Sequence, residues 1–126
     1  MNNSITFILP GKPHAKQRSR KGVHGNWYNP QDEIMSSVSR SMRDQFPYPV
    51  IPQHTPVKCT VFAFFSIPKT KKEADYCLNS LDCDNILKFY MDCMNKTVFH
   101  DDNQVYSMAC EKSYSHDPRT EVEIEW

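Results

Sequence analysis

Val57 to Ile67 reads VKCTVFAFFSI. It begins by alternating and ends continuously apolar, with β-branched and aromatic residues throughout, as a strand inside a sheet does. Partner strands have to lie on both sides of it. Ser4 to Leu9 (SITFIL) is apolar and β-branched and stops at Pro10-Gly11-Lys12-Pro13. Gln104 to Ser113 alternates. Glu121 to Trp126 alternates sharply, with Val122, Ile124 and Trp126 on one face and Glu121, Glu123 and Glu125 on the other. The last two strands are expected to form a hairpin that turns at His116-Asp117-Pro118.

Two helices fit between these strands. At Asn29-Pro30-Gln31-Asp32-Glu33, Asn29 can cap, Pro30 suits the first helical position, and the acids complement the helix dipole. Ile34, Met35, Val38 and Met42 then recur at helical spacing, so this helix should run to about Gln45. Pro47, Pro49, Pro52 and Pro56 make the next connection stiff. The second helix is expected over Asp82 to Asn95, with Ile86, Leu87, Tyr90, Met91 and Met94 as its apolar face. Pro68 to Ser80 is polar, with room for one helical turn around Glu73 to Cys77. The segment Lys12 to Trp27 has no apolar periodicity and is expected to be a mobile basic loop. The fold class is therefore α+β: a single small domain over residues 1–126, with a mixed β-sheet and two main helices packed against it.

The chain has 126 residues, 39% hydrophobic and 24% charged, an ordinary balance for a soluble domain. No stretch approaches a membrane span, and Met1 to Pro10 lacks a signal-peptide layout. A cytoplasmic location without a membrane partner is expected. The five cysteines are odd in number and form no C-x-x-C pair, so reduced thiols are expected rather than disulfides or structural zinc.

The zero net charge hides a split. Met1 to Lys72 holds 11 Lys/Arg and 3 Asp/Glu, whereas Glu73 to Trp126 holds 4 Lys/Arg and 12 Asp/Glu. Such asymmetry suits a nucleic-acid surface beside an acidic site, although opposite charges can also simply pair across a fold.

The acidic half contains Leu81-Asp82-Cys83-Asp84-Asn85 at the start of the second helix. Two carboxylates at a loop-to-helix junction can point into one cleft, and Lys88 lies one turn beyond Asp84. His100-Asp101-Asp102-Asn103-Gln104-Val105 follows just before a strand. Each group has a plain alternative: Asp82 as a helix cap, Asp101 and Asp102 as turn residues. Together they form a magnesium-type donor set, all oxygen and few in number. A cation there can polarise a phosphodiester and activate water, and Lys88 can stabilise the developing charge. Asp92 precedes Lys96 by four residues, and a surface pair between them is expected. His100 adjoins the acids, but magnesium's preference for oxygen counts against it as a ligand.

At these residues the chain resembles the RusA family of Holliday-junction resolvases, especially those of phages and prophages. The likeness lies in Asp82-Cys83-Asp84-Asn85-Ile86-Leu87-Lys88, then Asp92, then Phe99-His100-Asp101-Asp102-Asn103-Gln104-Val105. Pro10-Gly11-Lys12-Pro13 with Lys16, Arg18, Arg20 and Tyr28 resembles the family less specifically. The resemblance implies a homodimer that nicks four-way DNA junctions symmetrically in recombination and repair, with Mg2+ or Mn2+. It implies that Asp82, Asp84 and Asp102 hold the metal, that Lys88 is essential, and that Asp101 is a less critical neighbour. Cys83 stands where many members carry an aliphatic residue.

Lys12, Lys16, Arg18, Arg20 and Lys21, together with Lys69, Lys71 and Lys72, are expected to meet DNA phosphates. Trp27, Tyr28 and Phe99 are candidates to stack on bases at a crossover, with core packing as the alternative for each. One rival reading is a non-catalytic structure-specific DNA-binding protein. Another is a phosphohydrolase of small substrates, but such a substrate needs no extended basic surface.

Overall fold

The structure, a computed structural model, describes residues 2–126. Strand β1 (Ser4–Pro10) leads to a short β2 (Arg20–Lys21) and β3 (Trp27–Tyr28), then helix α1 (Asp32–Gln45) and strand β4 (Val57–Phe65). Helix α2 (Cys83–Met94), a 3-10 turn (Asp102–Gln104), β5 (Val105–Tyr114) and β6 (Arg119–Glu125) follow. The four long strands form one mixed sheet in the order β1-β6-β4-β5, and β2 pairs only with β3. Both helices lie on one face. Val57, Cys59, Val61, Ala63 and Phe65 of β4 are buried there with Phe7, Val122 and Ile124 and with Met42, Ile86, Phe89, Tyr90 and Met94 of the helices. This is the expected α+β class. No helix among the described residues is long and apolar enough to cross a membrane, and all five cysteines are free thiols.

The last two strands are not a hairpin. Strand β4 lies between them, parallel to β5 and antiparallel to β6. Two strand spacings come to about 9.6 Å, which the four linking residues can span at about 3.3 Å each. Ser115 tightens the crossing, its N–H donating to Phe65 O at 2.8 Å. This insertion makes β4 central, and it leaves β5 at a sheet edge beside α2.

Helix α1 starts two residues later than Pro30. Asn29 Oδ1 accepts from Gln31 N at 2.9 Å, so Asn29 closes a turn before the helix instead of capping it. Its last residue latches the sheet: Gln45 accepts from Ile8 N and donates to Ile8 O, at 2.9 and 3.0 Å. The proline-rich connection is pinned as well. Ile51 N donates to Val98 O and His100 N donates to Ile51 O, at 2.8 and 3.2 Å. Residues 73–75 form a single turn, with Asp75 N donating to Lys72 O at 3.0 Å, and residues 76–77 are irregular, so no helical turn forms there.

The basic segment is a strap held across the start of α2, not a loose loop. Gly11 turns the chain into it with φ +94°, a conformation glycine adopts without strain. His14 N then donates to the buried Tyr90 hydroxyl at 3.0 Å, and Lys16 N donates to Asn85 O at 2.8 Å. The buried Gln31 side chain accepts from Gln17 N and donates to Ala15 O, both at 2.8 Å. Beyond the strap, β2 and β3 make a small hairpin. Tyr90 shares its hydroxyl with Thr120 at 2.9 Å, which ties strap, helix and sheet together.

Candidate functional site

Asp84, Lys88, Asp92 and Asp102 line one cavity of about 270 Å³, floored by Leu87, Met91 and Met108. The first three stand on one face of α2 at spacings of four, each about 6 Å farther along the axis. Asp102 is brought to them by the 3-10 turn before β5. The cavity is thus a trough. Asp84, Lys88 and Asp92 follow one another along its helical wall, and Asp102 enters it from the turn.

Asp82 lies elsewhere. It is the residue before α2, extended at φ −78° and ψ 141°, and its side chain makes no cap hydrogen bond. Capping therefore does not explain its presence. It lines a second cavity of about 270 Å³ with Lys12, His14, Lys16, Gln17 and Asn85, between the strap and the helix. Asp82 and Asp84 thus line neighbouring cavities, Asp82 from extended backbone before the helix and Asp84 from its first turn. Cys83, between them, turns inward. Its thiol donates to Cys110 O at 3.7 Å, and burial, then the Cys83 thiol, push Cys110 up to about 12. An apolar-sized residue fits that position.

Among the described residues no three carboxylate, histidine or cysteine groups are drawn together tightly enough to cage a metal. The donor set is oxygen throughout, however. It suits a cation held by one or two carboxylates with waters and substrate phosphates completing the shell, the usual state of magnesium.

The trough shows charge strain that a cation would relieve. Asp102 is largely exposed, yet its carboxyl is held above the ordinary carboxylate value. Partial desolvation contributes most, then a hydrogen bond and like charge from Asp101, then Asp92, while Lys88 opposes them. A raised folded value means that this group's contribution to stability is full below the unfolded pKa and is lost as pH rises through the folded one. Asp101→Asn should therefore lower the Asp102 titration midpoint in the metal-free protein, read by carboxyl-carbon NMR. An unmoved midpoint would show that Asp101 is not the neighbour responsible.

Asp101 itself caps the turn. Its carboxylate accepts from Asn103 N at 3.4 Å, and its own N–H donates to Gln104 Oε1 at 2.8 Å. Gln104 is buried and donates to Pro52 O and Thr55 O at 2.8 and 3.1 Å, so the proline-rich connection fixes the turn that carries Asp102. At the other end Lys112 of β5 plays the same part. Its ammonium donates to Asn79 O, Asn79 Oδ1 and Leu81 O at 3.0, 3.1 and 2.8 Å, just before Asp82. Neither anchor was visible in the spacing of the acids.

Asp92 pairs with Lys16 of the strap at 3.0 Å, not with Lys96. Lys16 also approaches Met35 Sδ at 3.6 Å. Its ammonium is thus committed to the protein, unlike the cationic groups of Lys12, Arg18, Arg20 and Lys21, residues that are exposed. Asp92 was missed as a trough residue, although its spacing of eight from Asp84 places it on the same face. Lys69, Lys71 and Lys72 are exposed on the loop after β4, and Lys12 lines a cavity with Ser66 and Pro68 at the start of that loop. Arg40 and Arg43 of α1 add cations beside Asp92 and had not been singled out. His100 is exposed and outside the trough, whereas Phe99 is fully buried and is a core residue.

The family model described as Endodeoxyribonuclease RusA matches residues 10–125. The chain is also similar to the uncharacterized protein YqaN of Bacillus subtilis (strain 168), 28% identical over 138 residues, 95% of this chain and 94% of that protein. The match spans the basic strap, both acidic segments and strands β4, β5 and β6, and the chain belongs to the RusA endodeoxyribonuclease family.

Proposed function

We propose that this protein resolves four-way DNA junctions as a homodimer, by magnesium-dependent, symmetric phosphodiester hydrolysis in the cytoplasm, with manganese able to substitute, in DNA recombination and repair. The observation that carries this reading is the trough holding Asp84, Lys88 and Asp102 beside an ordered strap of cations. Asp84 and Asp102 would hold the cation, with Asp82 at the adjoining edge and Asp101 shaping the turn. The chemistry such a cation would supply is polarisation of the scissile phosphodiester and a more acidic attacking water. Lys88, in the middle of the trough, stabilises negative charge that develops on the phosphate oxygens. Asp92 keeps Lys16 against the trough, so the strap and the acids stay in register. A two-fold dimer would present two such troughs to opposed strands of a two-fold junction.

The test is to incubate the protein with a mobile four-way junction, a plain duplex and a mononucleotide, each with magnesium, manganese or chelator. Paired nicks in the junction alone, dependent on metal, are expected. Junction binding without cutting under every condition would leave a structure-specific binding protein instead. Lys12→Ala with Arg18→Ala should weaken junction binding and lower the slope of log affinity on log salt by about two, near 0.9 per lost phosphate contact. An unchanged slope would remove the strap from the DNA surface.

A further inference from the structure

The hairpin of β2 and β3 belongs to neither the sheet nor the trough. Its ladder pairs Arg20 with Tyr28 and Lys21 with Trp27. Successive residues of a strand face opposite ways, so each face of the hairpin carries one cation opposite one aromatic ring. The turn is built rather than loose. Gly22 N donates to Asn26 O at 2.7 Å, Gly25 N donates to Gly22 O at 3.0 Å, and Gly25 takes φ +82°. A Cβ at Gly22 would come within 3.7 Å of the Tyr28 ring, so the ring is seated beside that glycine. Yet the apolar side chains point outward. Val23 at the tip is 98% exposed and Trp27 is 72% exposed.

We propose that this hairpin binds unstacked bases at the branch point of DNA, with Trp27 as the stacking platform and Arg20 and Lys21 holding the adjoining phosphates. Charge decides the class of occupant. From Lys12 to Gln31 there is no acid. Two copies of such a hairpin would repel each other, whereas a polyanion is attracted. Ring geometry narrows the choice within nucleic acids. A duplex hides its base faces in the stack and offers only edges, so an exposed indole face finds a partner where bases are splayed. A four-way crossover supplies them. The hairpin would therefore add preference for branched over linear DNA, separate from the chemistry in the trough. This inference rests on the junction-binding reading above.

The experiment uses the whole chain in chelator, so that nothing is cut. Junction and duplex each carry the fluorescent base 2-aminopurine, placed at the branch point or the matching duplex position. Wild-type protein is expected to change the branch-point signal. Trp27→Ala should abolish that change and weaken junction affinity roughly tenfold while duplex affinity holds. The salt slope should stay put, since no cation is lost. Trp27→Phe should restore most of the signal, which a fold defect would not. A wild-type protein without junction preference would sink the function reading. Junction preference that Trp27→Ala leaves intact would overturn the hairpin's role alone. Equal loss on junction and duplex would also overturn it, as would loss of binding to anionic vesicles with DNA binding unchanged.

Discussion

Asp84→Asn is expected to cut junctions roughly 10³-fold more slowly than wild type while binding them as well or better. Charge stabilisation supplied through a metal ligand is worth about 4 kcal/mol, and each tenfold in rate about 1.4 kcal/mol. The side chain is exposed, and Asn85 N donates to its Oδ1 at 3.0 Å, a bond that an asparagine oxygen can also accept. Folding should therefore change by no more than about 1 kcal/mol, the worth of an acid in a first helical turn. Removing a negative charge from a surface that faces phosphates should, if anything, tighten DNA binding. Single-turnover cutting, gel-shift affinity and circular dichroism read the three quantities separately. Cutting within about threefold of wild type would remove Asp84 from the chemistry. A collapse of junction affinity in a folded variant would instead make it a DNA contact.

Local periodicity made β4, α2 and the alternation of β6 legible, because burial of one face imposes it directly. The insertion of β4 between β5 and β6 was not. Two alternating strands joined by four residues read the same whether they pair or straddle a third strand. The strap was misread for a related reason. Its bonds run to Tyr90, Asn85 and Gln31, distant residues whose own patterns advertise helix positions and nothing more. The acids were legible as a set, since carboxylates crowded at element ends need a reason. Their division was not. Spacing alone could not tell that Asp82 stays extended while Asp84 joins the helix, nor that Asp92 turns to Lys16.

The anchors of the two acidic ends show what spacing leaves out. Lys112 lies on β5, far along the chain from Leu81, and looks in sequence like one more surface lysine. In the fold its ammonium collects three oxygens of residues 79–81 and thereby fixes where the chain enters α2. Lys112→Met keeps the side chain's unbranched stem to within one atom and removes every donor. Stability should fall by about 2–3 kcal/mol, the scale of charge-assisted bonds left unmade at a partly buried site. The larger effect is expected on cutting. A shift of about 1 Å in Asp82 and Asp84 is worth about 10²-fold in rate, and the magnesium concentration for half-maximal cutting should rise with it. Both should be measured well below the unfolding midpoint, where the variant is fully folded. Lys112→Arg retains donors that can reach the same carbonyls and should recover most of the metal dependence. Junction binding in chelator should be unaffected in either variant. If Lys112→Met loses stability yet cuts at the wild-type rate with the wild-type metal requirement, the lysine holds the loop without positioning the acids.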